Sequence, residues 1–83
     1  MKIELYAFRD KYNGFGGIQL YTNEPTAIRD FSQRVNNVPE MVFAPGDYDL
    51  YRIGHYDTET AEIKPCLPEM IISGASVLKK KEV

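Results

Sequence analysis

The sequence predicts an α+β domain: a mainly antiparallel sheet of four to five strands, in the order β-β-α-β-β, with one helix on one face. Three observations predict it. Residues 47–63, DYDLYRIGHYDTETAEI, combine the densest run of aromatic and β-branched residues with a polar turn, which reads as a β-hairpin. Residues 2–8 and 18–22 alternate on either side of a glycine-rich break. Between these strand regions, a helical stripe follows a capping asparagine.

Taken in order, residues 2–8 place Ile3, Leu5 and Ala7 on one side and Glu4, Tyr6 and Phe8 on the other, the period of a strand. RDKYNGFGG then gathers Asn13, Gly14, Gly16 and Gly17, a density that permits positive φ and reads as a flexible connection. In residues 18–22, Ile18 and Leu20 share one side and Gln19 and Tyr21 the other, so this segment is the expected antiparallel partner of the first strand. Asn23 can cap a helix, Glu24 complements its dipole, and Pro25 is tolerated where early amides have no helical partner. Ala27, Ile28, Phe31 and Val35 form its buried stripe, and Asn36 and Asn37 end it.

Residues 38–46 read as a connection pinned by Met41, Val42 and Phe43. In the hairpin that follows, Tyr48 and Leu50 share one face and Tyr51 and Ile53 the other, which suggests a central strand covered on both sides. Gly54 marks a bulge or a close backbone approach. Met70, Ile71 and Ile72 form a short edge strand, kept short by Pro65 and Pro68. Residues 1–74 are the expected domain and residues 75–83 a basic, frayed tail.

With 43% hydrophobic and 27% charged residues in 83, the composition is that of a globular domain with a thin core; chains near this size bury roughly 60% of their unfolded surface. The single cysteine, Cys66, excludes an internal disulfide and a Cys-cluster zinc site, so a reducing, cytoplasmic setting is expected. Without those supports, homodimerisation is the remaining route to stability. No apolar run nears the roughly 18 residues of a membrane span, and MKIELYAFRD carries charges too early for a signal peptide, so no membrane association is expected. The net charge of −2 argues against a strongly electrostatic nucleic-acid binder. Asp47, Asp49, Asp57, Glu59 and Glu62 make the hairpin acidic, whereas Lys79, Lys80 and Lys81 make the carboxyl end basic.

No catalytic residue, metal site or cofactor is expected, and the chain reads as a non-enzyme. His55 and Cys66 are the only residues of their kinds and have no spacing that suggests a nucleophile and base. The hairpin acids lack the ligand order and central glycine of a calcium loop. NGFGG precedes a strand, where a phosphate cradle needs a helix amino terminus. If Ile3, Leu5, Ile18 and Leu20 face the helix, Tyr6, Phe8 and Tyr21 share the opposite face. That aromatic face could be a second core, a dimer interface, or a base-stacking platform served by Arg9, Lys11 and Arg52.

Three segments carry a resemblance: YAFRD at residues 6–10, AIRDFSQRVNN at residues 27–37, and PGDYDLYRIGHYDTETAEI at residues 45–63. In this order and spacing they resemble the small non-structural protein of gokushovirus-like microviruses (Microviridae), bacteriophages with single-stranded DNA genomes. That family usually has glycine where Ala61 stands here, a departure that argues against a bulged turn with positive φ at this position. Members are commonly labelled DNA-binding, so the resemblance implies a viral protein associated with single-stranded DNA in genome replication or packaging, in the host bacterial cytoplasm. On that reading Tyr6, Phe8, Tyr21 and Tyr51 would stack bases, and Arg9, Lys11, Arg52, Lys79, Lys80 and Lys81 would meet phosphates. The alternative is a protein-interaction module, an assembly or host-modulating factor that meets capsid or host proteins without touching DNA.

Overall fold

The computed structural model describes residues 1–79. The order of elements is β1 (Lys2–Asp10), β2 (Gly14–Phe15), β3 (Gln19–Tyr21), α1 (Glu24–Asn37), α2 (Pro39–Phe43), a 3₁₀ turn (Pro45–Asp47), β4 (Tyr48–Asp57), β5 (Ile63–Ser73) and α3 (Gly74–Val77). The strands form one antiparallel sheet in the order β2-β1-β4-β5, with β3 on β1 as well. The α+β class and the helix on one face are as the sequence predicts.

Residues 9–17 are more ordered than a flexible connection. Asp10 accepts hydrogen bonds from the Tyr12 amide (3.0 Å) and Asn13 Nδ2 (2.8 Å), and Gly14 takes φ +87°. This Asn-Gly turn folds the chain back, so Phe15 pairs with Arg9 and Gly14 with Asp10. The register then slips by one residue, and Gln19, Leu20 and Tyr21 pair with Tyr6, Leu5 and Glu4. β2 and β3 are thus two parts of one interrupted strand.

α1 spans the segment its caps and stripe predict. Asn23 Oδ1 accepts from the Thr26 amide at 2.9 Å, and the Val38 amide closes the last turn on Arg34 O before Pro39. Its buried residues Ala27, Phe31 and Val35 join Tyr6, Met41 and Leu50 in the core, flanked by Phe8, Tyr21, Ile28, Tyr48, Ile71 and Ile72. Residues 38–46 hold two further short helical turns, and Met41 drops into this core from α2.

The faces of the sheet are the reverse of the expected ones. Tyr6, Phe8 and Tyr21 lie under α1, while Ile3, Leu5, Ala7 and Arg9 point away with Leu20. Alternation says which residues share a face, not which face the helix covers. The rings won because they bury the most area, and two of them find carboxylates for their hydroxyls: Glu4 accepts from Tyr6, and Asp30 from Tyr21.

β4 is central, between β1 and β5, but only its Leu50 side is fully covered; Tyr51 and Ile53 are half-buried on or near the other side. Gly54 sits beside a bulge at Ile53, and a Cβ there would lie 2.5 Å from Lys64 O, so it marks both a bulge and a close approach. β5 is far longer than the short strand expected at residues 70–72. Its prolines are tolerated because an edge strand needs amides on one side only, and residues 66–68 bulge out between the Gly54–Pro65 and Arg52–Glu69 pairs. Residues 75–77, expected to fray, join Gly74 in α3. Its Val77 carbonyl accepts from Asn36 Nδ2 (3.0 Å), and Asn36 Oδ1 accepts the Lys79 amide (2.8 Å). Lys80 and Lys81 lie outside the described residues.

β4 and β5 are long for the helix above them. Ten residues of β4 extend about 34 Å, and fourteen residues of α1 cover about 21 Å. The hairpin therefore runs past its helix, and the molecule measures 50 × 24 × 17 Å.

Candidate functional site

The residues expected to bind nucleic acid divide among four places. Tyr6 is fully buried, set edge-on to Tyr21 with ring centroids 5.6 Å apart, and Phe8 tilts against Phe31 at 5.3 Å. Burial and the hydrogen bond to Asp30 push the Tyr21 hydroxyl up to about 12; burial and Glu4 raise that of Tyr6 further. Both are therefore neutral donors locked to carboxylates at neutral pH. Tyr6 is therefore core and offers no face on which a base could stack, and Phe8 and Tyr21 pack, partly buried, against that core.

Arg52 is occupied too. Its guanidinium meets Glu4 at 3.2 Å and Glu69 at 2.5 Å, bridging β1, β4 and β5 on the helix side of the sheet. The Tyr6 hydroxyl and Arg52 together hold the Glu4 carboxyl below its usual range, so Glu4 stays charged and paired. With two carboxylates on one cation, Arg52 is a brace and has no net charge to offer a phosphate.

Arg9 and Tyr51 do come together, on the face turned away from α1. Arg9 and Phe15 are register partners across β1 and β2, and Tyr51 lies opposite Ala7 on β4. The Phe15 and Tyr51 rings meet edge to face at 5.1 Å, and the Arg9 guanidinium carbon lies 5.9 Å from each ring centroid. Arg9 Nη1 also donates to Tyr51 Oη at 3.2 Å. Phe15 is 49% exposed, so the cluster presents a ring and a cation to solvent together. Sequence reasoning missed Phe15 because NGFGG was read as a loop; the Asn13–Gly14 pair, a strong hairpin signal, could have placed it in a strand opposite Arg9.

The same face continues as apolar surface. Register puts Ile3, Tyr56 and Ile63 in one cross-strand row, and Tyr51 and Met70 in another beside the buried Ala7. Leu20, Ile63 and Met70 are 56%, 59% and 53% exposed. Along β1, Ile3 and Arg9 stand about 20 Å apart, so the arginine cluster and the Ile63 row occupy opposite ends of the face.

The remaining expected cations lie elsewhere. Lys11 is exposed in the β1–β2 turn, where its amide donates to Asp47 O at 2.8 Å. Lys79 borders a hollow of about 320 Å³ with Arg29, Ser32 and Asn36 on the outer side of α1. Among the described residues no three His, Cys, Asp or Glu side chains are grouped to hold a metal ion. His55 lies between Glu4 and Lys64 on its two neighbouring strands, and Cys66 is a half-buried free thiol in the β5 bulge. No helix of the described residues is long and apolar enough to cross a membrane.

The model of the family described as Phage ORF5 protein matches residues 3–77, from the start of β1 to the last residue of α3. No curated protein and no solved structure matches the chain.

Proposed function

The chain belongs to the Phage ORF5 protein family, and from that premise we propose that it is a non-enzymatic phage protein that associates with single-stranded DNA through the sheet face opposite α1. The observation that carries this reading is the Arg9–Phe15–Tyr51 cluster. Single-strand binders pair solvent-facing rings with a cation, because every base has a π-face and every nucleotide a phosphate. The resemblance to gokushovirus proteins supports single-stranded DNA as the nucleic acid and replication or packaging in the bacterial cytoplasm as the setting.

Fluorescence anisotropy with a labelled single-stranded oligonucleotide at low salt tests the proposal. Phe15→Ala should weaken binding by about 1–3 kcal/mol, the worth of one stacked base. An unaltered protein that leaves the anisotropy unchanged at low salt overturns it.

A second reading is favoured by the exposed Leu20, Ile63 and Met70: the same face meets protein, in the first place another copy of this chain. Pairing through the Ile3–Tyr56–Ile63 row would leave the arginine cluster open at the other end, so a homodimer and DNA binding are compatible. Ile63→Lys should turn a dimer into a monomer in sedimentation equilibrium. Recovery of capsid or host proteins by the tagged chain after nuclease treatment would favour a protein partner over DNA.

A further inference from the structure

On the helix side of the sheet, the β1–β2 turn, α2 and the start of β4 border an open hollow of about 300 Å³. That is the lower size at which small-molecule and side-chain sites occur. Phe8, Met41 and Tyr48 supply apolar and aromatic walls, Gly14, Phe15 and Gly16 border it along β2, and Asp10 and Asn13 supply the polar lip. We propose that this hollow receives the guanidinium of an arginine carried by a basic segment of another protein.

Charge selects the occupant. Asp10 takes one hydrogen bond on each carboxylate oxygen, from the Tyr12 amide and from Asn13 Nδ2, and these bonds hold its carboxyl below the usual range. Each oxygen keeps acceptor capacity, and two parallel acceptors match the fork of a guanidinium. Tyr48 points the same way: burial, then the charges of Asp10, Glu40 and Asp47, raise its hydroxyl above the ordinary tyrosine value.

Ion pairs among the described residues engage Glu4, Asp30, Asp57, Glu59, Glu62 and Glu69; Asp10, Glu40 and Asp47, like Glu24 and Asp49 elsewhere, take part in none of them. A phosphate would be repelled by Asp10 at the lip, with Glu40 and Asp47 near enough to act on Tyr48, whereas a cation finds one carboxylate at the lip and aromatic surface beside it. Arginine fits better than lysine because its flat, weakly hydrated head can lie against a ring and engage both oxygens. Phe15 borders this hollow while its ring lies in the Arg9 cluster, so the Gly14 and Gly16 amides respond to either site and competition between peptide and oligonucleotide separates the two.

Amide shifts of the ¹⁵N-labelled full chain are followed while a short peptide with one arginine among glycines is added. A second titration uses the same peptide with neutral citrulline in place of arginine. The arginine peptide should move the amides of Asp10, Asn13, Gly14, Gly16 and Tyr48, and the citrulline peptide should not. Asp10→Asn should weaken the interaction about tenfold, the size of one charge-assisted hydrogen bond. The pair Glu40→Gln with Asp47→Asn should weaken it by a smaller factor that vanishes at high salt, and Glu62→Gln, in the β4–β5 turn, should leave it unchanged. Equal shifts from citrulline, shifts only outside the hollow, an unaffected Asp10→Asn protein, or an oligonucleotide that displaces the bound arginine peptide would each overturn the proposal.

Discussion

Replacing Tyr6 separates a core role from a binding role for the aromatic residues. Tyr6 is fully buried, donates its hydroxyl to Glu4, and packs edge-on against Tyr21. Tyr6→Phe keeps the ring and removes a hydrogen bond to a charged group, worth about 1.5–3 kcal/mol. Arg52 still holds Glu4, so the lower end, about 1.5 kcal/mol, applies. For a domain of this size that corresponds to a fall in Tm of about 6–12 °C. Tyr6→Ala also leaves a cavity, and at about 3–5 kcal/mol it would consume much of the roughly 4–12 kcal/mol that holds such a domain together. Thermal unfolding followed by circular dichroism measures both, beside anisotropy with the oligonucleotide at a temperature where Tyr6→Phe is folded. The expected pattern is a destabilised Tyr6→Phe protein with unchanged DNA affinity, and a Phe15→Ala protein with near-normal Tm and weakened affinity. Weakened DNA binding by folded Tyr6→Phe at unchanged Tm would refute the assignment of Tyr6 to the core.

Three further outcomes follow from local geometry. Ala61 sits at φ +62°, where an L-residue is strained and glycine is not, so Ala61→Gly should raise stability by about 1 kcal/mol in chemical denaturation despite the flexibility it adds to the unfolded chain. Arg52→Gln should cost about 1–2 kcal/mol by stranding Glu4 and Glu69, with no change in oligonucleotide affinity; a larger loss of affinity than of stability would return Arg52 to the DNA surface. Tyr21 has its folded value raised from 10.0 to about 12, and Tyr6 is raised further. Above pH 10 the unfolded chain releases these protons and the folded chain retains them, so stability is intact below pH 10 and falls as pH climbs through 12. Unfolding midpoints across that range, with tyrosinate absorbance alongside, should show the loss, and Tyr21→Phe should reduce it.

What could be read from the sequence was what local chemistry decides. α1 follows from Asn23, Pro25 and a stripe of apolar residues, all signals contained within the helix itself. β4 and the turn after it follow likewise from an aromatic strand and polar residues, but the returning strand runs over residues 63–73, beyond the expected hairpin of residues 47–63. The choice of covered face did not, because alternation in β1 is symmetric and the decision rests on partners as distant as Asp30. α3 was hidden for a similar reason. GASV has no helical stripe, and Gly74 is required by packing, since a Cβ there would lie 2.3 Å from Pro45 O. Of the candidate site, Arg9 and Tyr51 were legible as residue types, but their meeting depends on the β1–β4 register, and Phe15 reaches them only because the Asn13–Gly14 turn continues the sheet.

The separation of the cations gives the DNA reading its sharpest numerical consequence. Arg52 is neutralised by Glu4 and Glu69 on the α1 side of the sheet, Lys79 lies behind that helix, and Lys11 stands in the turn, so the far face of the described residues presents Arg9 as its cation. For single strands log K falls with log salt by about 0.7 for each phosphate neutralised. One protomer should therefore show a slope near −0.7 and a dimer engaging two arginines one near −1.4. Arg9→Gln should flatten either slope toward zero, leaving weak, salt-insensitive stacking on Phe15. A slope steeper than about −2 would mean that cations beyond Arg9 take part, and removal of residues 79–83 would then identify the three lysines as their source. If that truncation abolished binding while Arg9→Gln did not, the DNA would lie on the carboxyl-terminal segment, and the sheet face would be left to protein contacts alone.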